Sequence, residues 1–364
     1  MADNQVTEIP APRRRLRFVL PVALFLVTSI TTTLAGLSFV GSPGALESFD
    51  ALIASIPAAL TYSIPLMIFL AAHEFGHYFA ARHHGVDTTL PYFIPMPLLF
   101  GTMGAVIRVR SPIPSRKALF DIGVAGPLAG FAVALCCLLV GVLTIDGPER
   151  ILAMHPEYLS ADTFPTHGLY FGDFTLLVVI REIFSGGDTF FPPMNEIYHY
   201  PMLTVGWFGM FVTSLNLIPV GQLDGGHILC AMIGRRQTAV SRWVLRLMTF
   251  AGVGGLLALL HDVTQGFDPN PTFDALRHAL HGPLGWIAEN APWWFSGWTG
   301  WLFWSLVIRF VVRVPHPAVD DERAINRGRI AVGVIALVIF ALTVSWTGLF
   351  EIEAADHYRI SSLN

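Results

Sequence analysis

The chain has 364 residues, 53% of them hydrophobic and 13% charged, with a mean hydropathy of +0.58. Soluble domains carry about 25% charged residues, so an ordinary cytosolic enzyme and a disordered chain are both excluded. A net charge of −4 with a pI near 6.3 leaves no basic footprint for DNA or RNA, and no nucleic-acid partner is expected.

Seven apolar runs are long enough to cross a bilayer, which takes roughly 20 residues each. They are 18–40, 57–82, 119–144, 201–217, 243–261, 293–312 and 330–350. The first follows Arg13-Arg14-Arg15-Leu16-Arg17. It is too long for a signal-peptide core and lacks a clear small-residue cleavage site. It reads as a retained anchor behind a short cytoplasmic tail, 1–17.

The second run carries His73-Glu74-Phe75-Gly76-His77. On a helix, His73 and His77 lie one turn apart on one face, so both imidazoles reach one ion. Glu74 projects beside them and can take a proton from the attacking water. Charges at bilayer depth are costly and are functional candidates for that reason. The bland alternative is a histidine pair satisfied by neighbouring helices.

Between the second and third runs the chain is awkward as a helix. Pro91, Pro95 and Pro97 interrupt it, Gly101 and Gly104 follow, and residues 105–110 then alternate. Val106, Arg108 and Arg110 fall on one face, with Ile107 and Val109 on the other, which predicts a short strand. In the third run, Gly126 and Gly130 form a small-xxx-small pattern that reads as close helix packing. Asp121, near the start of that run, reads as a loop anchor.

The longest connection is 145–200, and its residues 174–184 predict an interfacial helix. The fourth run ends in Asn216-Leu217-Ile218-Pro219, then Gly221, Leu223, Asp224, Gly225, Gly226 and His227. Pro219 and Gly221 break the helix. Asp224 then heads a rebuilt helix, either as its N-cap or as the third ligand of a metal shared with the histidine pair. His227 is either a support to that site or a plain helix-facing histidine. Trp293, Trp294, Trp298, Trp301 and Trp304 suggest an outer aromatic belt. Cys136, Cys137 and Cys230 sit in or beside apolar stretches and read as small apolar side chains.

With the N-terminus inside, 18 of the 22 basic residues fall on inner segments. That asymmetry predicts seven spans, a cytoplasmic N-terminus and an outer C-terminus. The histidine pair and Asp224 then lie at the same depth, toward the cytoplasmic side, which favours the shared metal.

These motifs resemble the site-2 proteases, a family of intramembrane zinc metalloproteases. Its H-E-x-x-H motif is met by His73, Glu74 and His77. Its N-x-x-P-x-x-x-L-D-G motif is met by Asn216, Pro219, Leu223, Asp224 and Gly225. The stretch 100–130 is also similar, and the resemblance covers roughly 57–235. It implies an all-α polytopic membrane protein of about seven transmembrane helices, with a short membrane-associated β-hairpin near the active site. It implies Zn2+ on His73, His77 and Asp224, with Glu74 catalytic. It implies that Asn216 binds the substrate backbone or oxyanion, and that the hairpin, with Val106 and Arg108, pairs with an unwound substrate. The substrate expected from the family is a single-span membrane protein.

The expected organisation is a tail, 1–17; a first helix and outer loop, 18–56; a metalloprotease core, 57–235; and further helices with an outer tail, 236–364. The outer connection is too short for the PDZ domains of some relatives, and no CBS domain is visible. The location expected is a bacterial inner membrane. Two other readings use the same ligands: a metal carrier or sensor, and a catalytically silent relative that binds membrane helices.

Overall fold

The computed structural model describes residues 16–41, 44–160, 164, 168–185, 190–265, 271–312, 319, 321 and 323–352. The basic cluster at 13–15 and the end of the C-terminal tail lie outside the described residues. In chain order the elements begin with α1 (Leu16–Val40), α2 (Phe49–His83), β1 (Tyr92–Pro95), β2 (Thr102–Val106) and α3 (Arg116–Leu143). The connection that follows holds α4 (Glu149–Met154), β3 (Gly168–Phe171) and α5 (Thr175–Ser185). Then come α6 (Pro201–Leu217), α7 (Asp224–Ile233), α8 (Gln237–Gln265) and α9 (Pro271–Asn290). The chain finishes with α10 (Pro292–Phe295), α11 (Gly300–Val307), α12 (Arg327–Thr343) and β4 (Leu349–Ile352).

Among the described residues, four helical stretches are long and apolar enough to cross a membrane: Phe18–Val40, Phe49–His83, Arg116–Leu143 and Asp224–Gln265. The last is α7 and α8 joined by a single 3-10 turn, Gly234–Arg236. The other three expected spans are helical but shorter. Helices α6 and α12 have 17 residues each. The run 293–312 is broken, because Gly297 and Gly300 punctuate it. It resolves into α10, α11 and a π-helical turn at Ile308–Val312. Helix α9 was not expected, whereas α5 falls where an interfacial helix was predicted.

In lipid there is no hydrophobic drive between helices, so close packing and hydroxyl bonds hold them together. Thr32 and Ser63 hydroxyls meet at 2.7 Å between α1 and α2. Where α2 crosses α3, Gly76 lies against the backbone of Ala125 and Gly126. Gly141 and Gly206 make equally close approaches, to α6 and α3 respectively. An aromatic core of Tyr62, Phe100, Phe171, Trp207 and Phe208 fills the space between these helices. Arg116 donates to the carbonyl of Ala231 at 2.6 and 3.1 Å, closing the C-terminal end of α7.

Strands β1 and β2 form an antiparallel hairpin with Tyr92 opposite Val106 and Phe93 opposite Ala105. The strand is therefore centred earlier than the 105–110 alternation suggested. Its ladder partner sets the register, and beyond Val106 the pairing with the preceding segment is reduced to a bridge between Val109 and Thr88. The hairpin is clamped at its turn. Gly101 takes φ +80° and lies so close to α1 that a side chain would overlap the backbone of Thr31 and Thr32. Thr31 and Tyr62 donate to the carbonyls of Gly101 and Phe100, at 2.6 and 3.1 Å.

Strands β3 and β4 pair antiparallel and tie the long connection to the C-terminal region, a contact the sequence reading lacked. The tryptophans correct another expectation. Trp298 and Trp301 donate indole N–H groups to the carbonyls of Leu349 and Trp346, and Trp301 is buried. They pin the chain after α12 rather than forming a belt, while Trp293 stays exposed.

Candidate metal centre

The histidine spacing does on α2 what the helical period requires. His73 and His77 point their Nε2 atoms at each other, 3.2 Å apart. Helix α6 ends at Leu217, and residues 218–223 turn the chain back before α7. Gly225 and Gly226 make this turn possible: a side chain on either would overlap the carbonyl of Leu217 or Gly221. Asp224 is the first residue of α7, whose N-cap is Leu223. The carboxylate does not cap the helix. Its Oδ2 lies 3.5 Å from His73 Nε2 and 3.3 Å from His77 Nε2.

Three metal-ligating atoms thus converge, with edges of 3.2, 3.3 and 3.5 Å. A tetrahedral zinc site with bonds of 2.0–2.1 Å has ligand atoms about 3.3 Å apart. The donor set suits the same ion: two imidazoles and one carboxylate are three of the four ligands of a tetrahedral zinc. His77 Nδ1 lies 2.7 Å from the carbonyl of Ile122. Donation to that carbonyl leaves the Nε2 lone pair for coordination, the usual support for a ligating histidine. His73 Nδ1 is buried without a hydrogen-bond partner among the described residues. The residues present therefore fit a zinc ion.

The small residues of α3, read from sequence as packing only, turn out to shape this site. A side chain on Gly126 would overlap the His77 ring. One on Gly130 would reach 3.0 Å from His73 Nδ1 and 3.2 Å from the Phe69 ring. Gly123, one turn earlier, receives His227, whose Cβ would sit 2.8 Å from an added methyl. His227 therefore serves the α3–α7 contact. The signal available in the sequence was the i, i+3, i+7 glycine stripe, which faces whatever α3 packs against.

Glu74 is 7% exposed and is approached by the backbone N–H of Ile107, just beyond β2. The segment leaving the hairpin thus reaches the catalytic candidate. Asn216 Nδ2 lies 3.4 Å from His73 Nε2. Val106 ends β2 and is half-exposed. Arg108 is exposed, but its backbone is taken: Thr89 Oγ1 accepts from its N–H, and its carbonyl accepts from Thr89 N–H, both at 3.0 Å. Asp121 lies on α3, outside the cluster of His73, His77 and Asp224. It holds His84 at 2.8 Å and accepts two bonds at 2.8 Å from Arg329.

Residues 61–260 match the model of peptidase family M50. The chain is 26% identical to probable zinc metalloprotease EGY1, chloroplastic, of Arabidopsis thaliana, over 96% of this chain and 57% of that protein. It is 28% identical to the EGY1 of Oryza sativa subsp. japonica, over 96% of this chain and 54% of that protein. To EGY2 of Arabidopsis thaliana, also named a probable zinc metalloprotease, it is 30% identical over 60% of this chain and 35% of that protein. The chain spans little more than half the length of the EGY1 proteins. Their names place those proteins in chloroplasts, so the expected bacterial inner membrane draws no support from them. No solved structure matches the chain.

Proposed function

The chain belongs to peptidase family M50, the site-2 protease family, and from that premise we propose that it is a zinc-dependent intramembrane endopeptidase cleaving transmembrane segments of single-span membrane proteins. In this reading His73, His77 and Asp224 hold the zinc and Glu74 is the general base. The supporting observation is the meeting of two Nε2 atoms and one Oδ2 atom within 3.5 Å, with Glu74 alongside. When bound, zinc supplies Lewis-acid polarisation of the scissile carbonyl and acidifies water.

The protein's own residues do the rest. Glu74 accepts the proton of the attacking water and returns it to the leaving amine. The N–H of Ile107 helps to hold that carboxylate in place. Asn216 donates its amide to the substrate carbonyl oxygen as negative charge develops there. A helical substrate hides its peptide bonds, so the segment must first be extended. Among the described residues the hairpin contains two strands, and β2 has an edge without a strand partner. An unwound substrate adds there, with Val106 at the edge and the exposed Arg108 side chain beside it. The protein is a multi-pass membrane protein whose N-terminus and catalytic residues lie toward the cytoplasm.

The test pairs two variants of the full chain in detergent. Glu74→Gln keeps its zinc and loses cleavage of a single-span substrate by about 10²–10⁴-fold, the usual contribution of a general base. Asp224→Ala loses the ion of this site and keeps the fold. Cleavage by Glu74→Gln at the wild-type rate, or unchanged zinc content in Asp224→Ala, would overturn the assignment.

A further inference from the structure

A second set of donors converges at the other end of α6. Glu196 and His199 flank and close the 3-10 turn Ile197–His199, immediately ahead of that helix, and His155 follows the end of α4. Asn216 lies one helix length away, roughly 20–25 Å along the axis at 1.5 Å per residue. His155 Nε2 and His199 Nε2 are 3.1 Å apart. Glu196 Oε2 lies 3.4 Å from His199 Nε2. One ligand atom from each of the three residues falls within 4.8 Å of the other two.

The surroundings are built for a ligand rather than for solvent. Glu196 and His199 are each 2% exposed. Glu196 Oε1 accepts from Asn195 Nδ2 at 3.2 Å and from the Tyr158 hydroxyl at 3.3 Å. Oε2 is buried, has no hydrogen-bond partner among the described residues, and lies 3.4 Å from the His199 ring nitrogen. Burying a carboxylate oxygen in this way is costly unless a cation meets it. His199 Nδ1 lies 2.7 Å from the carbonyl of Phe39. Donation there turns the Nε2 lone pair toward His155 and Glu196. The first site has the same construction, with His77 held by the carbonyl of Ile122 at the same 2.7 Å.

We propose that His155, Glu196 and His199 bind a second zinc-type divalent cation. Two imidazoles and a carboxylate select such an ion over calcium or magnesium, which take oxygen ligands. The site has no part in the hydrolysis. It fastens the end of α4, the turn before α6 and, through Phe39, the end of α1. A metal there braces the end of the bundle opposite the catalytic residues.

The test is the zinc content of the full chain, purified in detergent and equilibrated with trace free Zn2+. Wild type holds two ions per chain, Asp224→Ala one, Glu196→Gln one and the double variant none. In Asp224→Ala, removing the remaining ion with a chelator lowers the Tm, because an ion bound only by the folded state stabilises it. The double variant shows no such shift. Glu196→Gln is isosteric, and the wild-type and Asp224→Ala measurements need no change at this cluster. One ion in wild type and none in Asp224→Ala would overturn the second site and leave the first intact. Two ions in wild type and two in Asp224→Ala would overturn the first assignment. Zinc content unaffected by Glu196→Gln and by His155→Gln would overturn the second ligand set.

Discussion

At the scale of single residues, what is absent matters as much as what is present. His73 and His77 sit one turn apart on α2, and that spacing alone brings their Nε2 atoms together. The rings nonetheless need space, which Gly126 and Gly130 of α3 leave. A methyl at Gly126 overlaps the His77 ring, so the ring must turn or the helices must part. Overpacking of this kind costs about 1–3 kcal/mol. Gly126→Ala is therefore expected to lower zinc occupancy and cleavage together, while circular dichroism in detergent reports an unchanged helix content. Asp224→Asn makes a finer test. It preserves size but removes the charge that faces two imidazoles at 3.3 and 3.5 Å. Zinc affinity, measured by competition with a chelator, should fall by at least tenfold.

At the scale of elements, Asp121 is the joint. From α3 it reaches His84 at the end of α2 and takes a two-bond grip from Arg329 of α12. Bonds to charged groups contribute about 1.5–3 kcal/mol each. Asp121→Asn is expected to lower the Tm in detergent by several degrees, with Arg329→Met giving a similar loss and the double variant little more. A sum of the two single losses would mean that the residues act separately. The same elements mark how far the sequence could be read. The histidine pair and Glu74 were legible because one helix carries them at a fixed period. Asp224 was legible because Pro219 and Gly221 end α6 and return the chain toward the pair. The hairpin was read some residues late, since alternation marks an extended segment but the partner strand sets its register. The 196–199 pair also has helical spacing, yet its third member, His155, lies 41 residues earlier, and only the fold brings it there. Strand pairing of β3 with β4 was hidden for the same reason.

At the scale of the whole molecule, orientation and length are the open measurements. Among the described residues four stretches meet the length and apolarity needed to cross a membrane, while the charge asymmetry calls for seven crossings. Helices α6 and α12 have 17 residues each, the lower end of what a bilayer requires. A cysteine introduced at exposed Arg235, in a chain whose three native cysteines are replaced, should label with a membrane-impermeant reagent only from the cytoplasmic side. One at Asp146, in the connection after α3, should label only from the opposite side. Labelling of both from one face would remove a crossing between α3 and the 3-10 turn that joins α7 to α8, and with it the cytoplasmic placement of the catalytic residues.

The glycine contacts between α2 and α3 bear on how this protein tolerates inherited change. Gly76, Gly126 and Gly130 each occupy a place where one added carbon meets backbone or a ligating ring. Every single-nucleotide change to a glycine codon that alters the residue adds at least that carbon. A survey of variants scored by lost function would therefore rank these three positions beside the histidines, though none of them has a side chain. Intolerance to change here maps the mould around the centre as well as the centre itself. The two are separable only by an assay that counts bound metal alongside turnover.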